Sequence, residues 1–248
     1  MSRSIDLNCD LGEGCGNDAE LMPLISSANI ACGFHAGDDD TMRRTVELAI
    51  ENNVAIGAHP SFPDRENFGR TEMSLPLNEV FDIVTEQISK LSEIAAEFSA
   101  ELHHVKPHGA LYNQSARDRE LAAAIARAVS AVDRALTMFG LSGSAAIEEA
   151  QAAGLKTASE VFADRTYLRD GTLTPRSKPN ALITDQHAAV AQVLKMVEQN
   201  AVELGDGSEI GISCDTVCIH GDGVTAVPLA KGIHNALISR NITICAPK

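Results

Sequence analysis

A chain of 248 residues with 44% hydrophobic residues can bury one large α/β core, yet no apolar run approaches the roughly 20 residues of a membrane span. Aromatics make up only 4% and Trp is absent, so the core must be built from Ala, Val, Ile and Leu, as in parallel sheets covered by helices. A formal charge of −14 argues against a nucleic-acid partner, but an acidic protein can still hold an anionic small molecule in a locally basic pocket.

The start, MSRSIDLNCD, reaches Asp6 without an apolar run, so no signal peptide is expected and the chain reads as soluble and cytosolic. Ser4–Cys9 alternates with period two, a strand that ends in Asn8, Asp10 and Glu13 beside a glycine-rich turn. That turn lacks the last glycine of a dinucleotide fingerprint. Ser27–Cys32 is a second strand, and its loop carries His35 and three aspartates before an amphipathic helix over Thr41–Ile50. The spacing places Met42, Val46, Ala49 and Ile50 on the core-facing stripe of that helix.

Val54–Ala58 is the third strand, leading to His59-Pro60 and the long loop SFPDRENFGRTEM, whose length points to function. A helix from about Pro76 to Phe98 follows, then a strand over Leu102–Lys106 ending in Pro107-His108-Gly109. An Ala-rich helix over Asp118–Val132 precedes a strand over Leu136–Leu141 and a short helix to Ala153, with Ser142 or Ser144 as its N-cap. Leu155–Ala158 reads as a brief sixth strand, followed by Glu160, Asp164 and Arg165. An irregular basic segment comes next, then a helix over Thr184–Glu203. A seventh strand, Thr216–His220, runs into Gly221-Asp222, and a last helix spans Val227–Ser239.

Seven strands alternating with helices require parallel pairing with right-handed crossovers. Nearly every strand ends in ionisable or glycine residues, which favours a closed β/α barrel, where all those ends meet on one rim, over an open sheet. One domain is expected over 1–248. The six cysteines contain no CxxC pair and read as buried thiols, not as a disulfide or zinc framework.

The rim candidates are Asp10, Glu13, His35, His59, Lys106, His108, Glu160, Asp164, Arg165, Arg176, His220 and Asp222, with Asn8 beside them. Singly, each has an ordinary reading: an Asp caps the next helix, a His is solvated, an Arg or Lys is surface. Their recurrence at one topological position is what singles them out. The set holds carboxylates and imidazoles for proton transfer and cations for a carboxylate or phosphate. No P-loop, HExxH or nucleophile elbow is present.

Several blocks run the length of the chain in a recognisable order. They include DLNCDLGE from Asp6, NIACGFHAGD from Asn29, Gly57-Ala58-His59-Pro60 and Phe68-Gly69-Arg70. VKPHGALYN from Val105, EVFADR from Glu160 with Tyr167, GTLTPR from Gly171 and His220-Gly221-Asp222 complete them. With these the chain resembles the LamB/YcsF family, the A subunits of prokaryotic ATP-dependent 5-oxoprolinase. It departs at Asn180, where the family usually has Gly, and at Gly223-Val224.

The resemblance implies a seven-stranded β/α barrel akin to glycoside hydrolase and deacetylase barrels. It also implies cleavage of 5-oxo-L-proline to L-glutamate with ATP hydrolysis, together with subunits B and C. In such a reaction ATP, as its magnesium complex, phosphorylates the lactam oxygen and water opens the ring. Asp10, His35, His59, Lys106 and His108 are then the catalytic candidates. Asn8, Glu13, Glu160, Asp164, Arg165, Arg176, His220 and Asp222 bind substrate and phosphate, with Lys106, Arg165 and Arg176 as the cations. No tightly bound metal is expected, and a homo-oligomer is compatible with the reading. Two rivals stand beside it: a metal-dependent deacetylase or amidohydrolase using Asp10, His35 and His59 as ligands, and a non-catalytic subunit that only presents 5-oxoproline.

Overall fold

The computed structural model of the chain describes residues 3–221, 223 and 225–248. Strand β1 (Ser4–Leu11) leads through the short helix α1 (Asp18–Leu21) to β2 (Ser27–Ala31), α2 (Asp39–Glu51), β3 (Ala55–His59), α3 (Leu77–Glu97) and β4 (His104–Val105). Two helices in succession, α4 (Gly109–Ser115) and α5 (Arg119–Val132), precede β5 (Thr137–Leu141), α6 (Ala145–Ala152) and β6 (Lys156–Phe162). Helix α7 (Gln186–Gln199), a hairpin of β7 (Ala201–Glu203) and β8 (Glu209–Gly211), strand β9 (Thr216–Ile219), helix α8 (Ala226–Ser239) and β10 (Thr243–Ile244) follow.

Strands β1 to β6 and β9 pair in parallel, and β9 pairs with both β6 and β1. The sheet therefore closes, with Thr216 opposite Asp6 on one side and Glu160 on the other. This is the expected seven-stranded β/α barrel. No described helix is long and apolar enough to cross a membrane.

The period of two in β1 sorts its side chains. Ile5, Leu7, Cys9 and Leu11 join the aliphatic layer between sheet and helices, while Asp6, Asn8 and Asp10 turn into the barrel. The aliphatic diet thus fills the outer layer, and much of the lumen is polar. There the Asp6 carboxylate accepts from the hydroxyls of Ser26, Ser27 and Thr216 at 2.6 to 2.7 Å. His104 donates through Nε2 to Asn29 Oδ1 at 2.9 Å and stacks on Phe139 at 4.1 Å. Burial at this depth is tolerable because each group finds a partner.

Several expectations are corrected. The 184–203 helix ends at Gln199, because Asn200 turns left-handed (φ 51°) and the next residues pair as β7 with β8. Strand β6 runs on to Phe162, since its ladder with β9 continues to the Phe162–Cys218 pair. Ser144 stands at the N-cap of α6 without a side-chain cap bond. Ile50 lies on the edge of its helical stripe and is 41% exposed. Of the three aspartates after His35, Asp38 caps α2 through Thr41 N, while Asp39 and Asp40 pair with Lys90 and Arg43 on the surface. Asn180 sits at φ 61°, a left-handed backbone that glycine adopts freely and asparagine at little cost.

Gly57 leaves no room for a side chain: a Cβ there would lie 2.1 Å from His104 Nε2. Gly57→Ala should lower stability by about 1–3 kcal/mol through overpacking. Gly205→Ala, where a Cβ would meet nothing within 4 Å, should stay within about 0.5 kcal/mol. Urea unfolding of both variants checks this, and equal midpoints would show that His104 has room to move aside.

Candidate active site

The ends of β1, β4 and β6 place Asp10, Lys106 and Glu160 around one point. Lys106 Nζ lies 2.8 Å from Asp10 Oδ1 and 2.9 Å from Glu160 Oε1. It also donates to Asn8 Oδ1 at 3.3 Å and to the Cys218 sulfur at 3.1 Å. Lys106 is only 2% exposed. Burial alone would depress its pKa, but Asp10, Cys218 and Glu160 hold it well above the ordinary lysine range. Burial would likewise raise Asp10, yet His59 and Lys106 hold it well below the usual carboxylate range. Asn8 donates to Glu160 at 2.9 Å, and Asn29 donates to Asp10 Oδ1 at 2.8 Å. Glu160 Oε2 and the Tyr112 hydroxyl are buried with no hydrogen-bond partner among the described residues.

Asp10 Oδ2 reaches 3.4 Å to His59 Nε2, which opens a second cluster. It joins Glu13, His35, His59 and His108, whose nearest donor atoms all lie within 4.8 Å of one another. His59 Nδ1 donates to Lys106 O at 2.7 Å, and His108 Nε2 donates to Phe68 O at 2.9 Å. His35 stacks flat on His108, with ring centres 3.8 Å apart and planes within 3°, and its Nε2 is 3.2 Å from Glu13 Oε1. Burial first, then His59, drives the His35 pKa down to about 2, so the ring is neutral. His108 is pushed well down by burial and then by His59 and His35.

The long loop after β3 covers this cluster. Phe68 meets His35 and His108 edge-on at 5.5 and 5.4 Å. The close approach needs Gly69 and Gly109, both left-handed: a Cβ on Gly109 would sit 2.4 Å from Gly69 O.

A third cluster lies beyond Phe162, whose ring is 5.6 Å from both Lys106 Nζ and the His220 ring. His220 Nδ1 is 2.9 Å from Asp164 Oδ1, and Arg176 donates to His220 Nε2 at 3.1 Å. Burial would raise the Asp164 pKa, but His220 and Arg176 hold it down. Asp164, Arg176 and His220 line a cavity of about 360 Å³ with Ile183, Thr184 and Thr225. Arg165 instead donates to Ala181 O and Thr174 O, so it staples the irregular segment. Asp222 lies outside the described residues.

The sequence candidates thus fall into three joined groups. Asp10, Lys106 and Glu160 stand near the strand ends at the barrel mouth, but the expectation of a solvated rim is corrected: all three are buried. Asn29 and Cys218 were missed as members of the network, and Tyr112 as a buried hydroxyl near Glu160. Asn29 and Cys218 follow from the inward phase of β2 and β9, the latter in step with Thr216, and Tyr112 lies in the VKPHGALYN block.

The model of the LamB/YcsF family matches residues 5–248. The 5-oxoprolinase A subunit of Bordetella parapertussis is 51% identical, over 99% of this chain and 100% of that protein. The lactam utilization protein of Thermus thermophilus superposes with a TM-score of 0.93 at 45% identity, over 98% of this chain and 100% of that one. A peptidoglycan deacetylase of Bacillus subtilis shares the fold alone, with a TM-score of 0.50 at 12% identity over 99% and 88% of the two chains.

Because Lys106 neutralises two buried carboxylates, Lys106→Met should destabilise the chain by about 3–5 kcal/mol, the cost of leaving buried charge uncompensated. Adding Glu160→Gln should recover part of the loss, as expected for coupled residues. Urea unfolding of the single and double variants reads both effects. A single variant within about 1 kcal/mol of the parent would contradict the buried-pair account.

Proposed function

Because the chain belongs to the LamB/YcsF family, we propose that it is the A subunit of a 5-oxoprolinase. It opens the lactam of 5-oxo-L-proline to L-glutamate, coupled to ATP hydrolysis, in a complex with subunits B and C. Full-length identity of 51% to a protein of that name supports the reading, as does the likeness to a lactam utilization protein. The observation that carries it is Asp10, an ionised carboxylate at the barrel mouth with one oxygen committed and the other facing imidazoles.

Opening a resonance-stabilised amide adds hydroxide to the ring carbon and a proton to the ring nitrogen. Lys106 and Asn29 hold Asp10 Oδ1, so Oδ2 is the oxygen that takes the proton from water. His59 Nε2 lies 3.4 Å from that oxygen and bounds the space the water would enter. The proton that Asp10 Oδ2 takes from water is returned to the ring nitrogen, and Arg176, held beside His220 and Asp164, pairs with the substrate carboxylate. Lys106 is a positioning residue that keeps Asp10 charged and fixed, not a phosphate ligand. With Lys106 and Arg165 both engaged, the reading assigns most of the nucleotide contacts to the partner subunits.

Mixing the purified chain with subunits B and C should give ATP-dependent glutamate release, and the chain alone should give little. Asp10→Asn, nearly isosteric, should cut turnover of the assembled enzyme at least ~100-fold, the scale of a lost acid–base group. A folded Asp10→Asn variant with near-parental turnover would remove Asp10 from the mechanism.

A further inference from the structure

Two backbone carbonyls set the protonation of His59 and His108. Lys106 O and Phe68 O only accept, so His59 Nδ1 and His108 Nε2 each carry a proton. With that proton on the carbonyl side of each ring, the other two nitrogens, His59 Nε2 and His108 Nδ1, are the ones open to a cation. They face each other at 2.9 Å, so a proton or another cation must stand between them. Glu13 Oε1 points into the same space, 3.4 Å from His108 Nδ1 and 4.0 Å from His59 Nε2. Three electron-pair donors converge, and the gap between them calls for a cation.

Around a tetrahedral ion with bonds of about 2.1 Å, ligand atoms stand about 3.4 Å apart. The separations of 2.9, 3.4 and 4.0 Å bracket that value. A backbone carbonyl behind each imidazole is also the arrangement that orients metal-binding histidines.

We propose that Glu13, His59 and His108 form a resident site for one divalent transition-metal ion of the zinc type, with a fourth position open. Two imidazole nitrogens and one carboxylate oxygen suit zinc, and do not suit magnesium or calcium, which take oxygen ligands. His35 lies flat on His108, so an ion in the plane of one ring is out of the plane of the other. Its part is to donate through Nε2 to Glu13 and orient the carboxylate. The site differs from the Asp10, His35 and His59 set of the sequence-level rival: the converging group takes in Glu13 and His108, while Asp10 has Oδ1 held by Lys106 and Asn29 and Oδ2 beside the site, 3.4 Å from His59 Nε2. It also runs against the expectation of no bound metal. The inference does not rest on the ring-opening reading, because it concerns the isolated chain without substrate, nucleotide or partners.

The test is elemental analysis of the isolated chain after stripping with chelator, reloading with zinc or cobalt(II) and removing the excess. The expected result is about one equivalent per chain, a strong visible cobalt band of tetrahedral type, and a higher melting temperature for the zinc form. His59→Ala and His108→Ala, confirmed as folded by circular dichroism, should bind at least ~100-fold more weakly, beyond the effect of losing an orienting neighbour. Should either fail to fold, Glu13→Gln, which keeps the volume, and the zinc-dependent melting shift of the parent decide the matter. A parent chain that takes up neither ion overturns the proposal, with a proton as the cation between the two rings. Undiminished binding in the folded variants overturns it too, and would place the ion elsewhere, for instance on one of the six free cysteines.

Discussion

The lysine ammonium enclosed between Asp10 and Glu160 is the constraint on which the mouth of this barrel depends. Taking three charges out of water costs several kcal/mol for each ion, and their attraction offsets this only where every remaining lone pair and proton has a partner. Asn8 and Asn29 provide much of that, bridging Glu160, Asp10 and Lys106 from inside the strands. Because the strands are hydrogen-bonded in fixed register around a closed sheet, these side chains cannot drift apart singly. The ion network is therefore weak evidence for net stability and strong evidence for a defined geometry at Asp10.

The histidine cluster is built differently. It lies under a loop and not between strands, and its closeness comes from residues without side chains. Gly69 and Gly109 let two backbone segments touch, which brings Phe68 against His35 and His108. The same contact supplies the carbonyl that fixes His108 in one tautomer. Shielding from water and orientation of His108 thus have a single structural cause, while His59 is set by Lys106 O.

From the histidine cluster the polar groups continue through Asp10 and Lys106 to Phe162 and then to Asp164, His220 and Arg176. One end is rich in electron-pair donors and the other carries the accessible cation. A substrate with an amide at one end and a carboxylate at the other matches that polarity. The barrel makes such a layout available because each strand end contributes one or two groups to a shared rim.

The sequence by itself determined the barrel, through strand–helix alternation and period-two strands with ionisable ends, since those signals are local and survive without knowledge of contacts. It also marked most of the residues at the mouth. It could not tell which of them were buried: Lys106 reads as a solvated cation in any one-dimensional pattern, and only its approach to Asp10 and Glu160, 96 and 54 residues away along the chain, makes it an interior ion. Nor could it separate Arg165, bound to carbonyls, from Arg176, which faces a cavity. The pairing of His59 with His108 and Glu13, and the tautomers that leave their facing nitrogens open to a cation, were decided by tertiary structure alone. Carbonyl positions follow from how distant segments pack, and no residue type announces them.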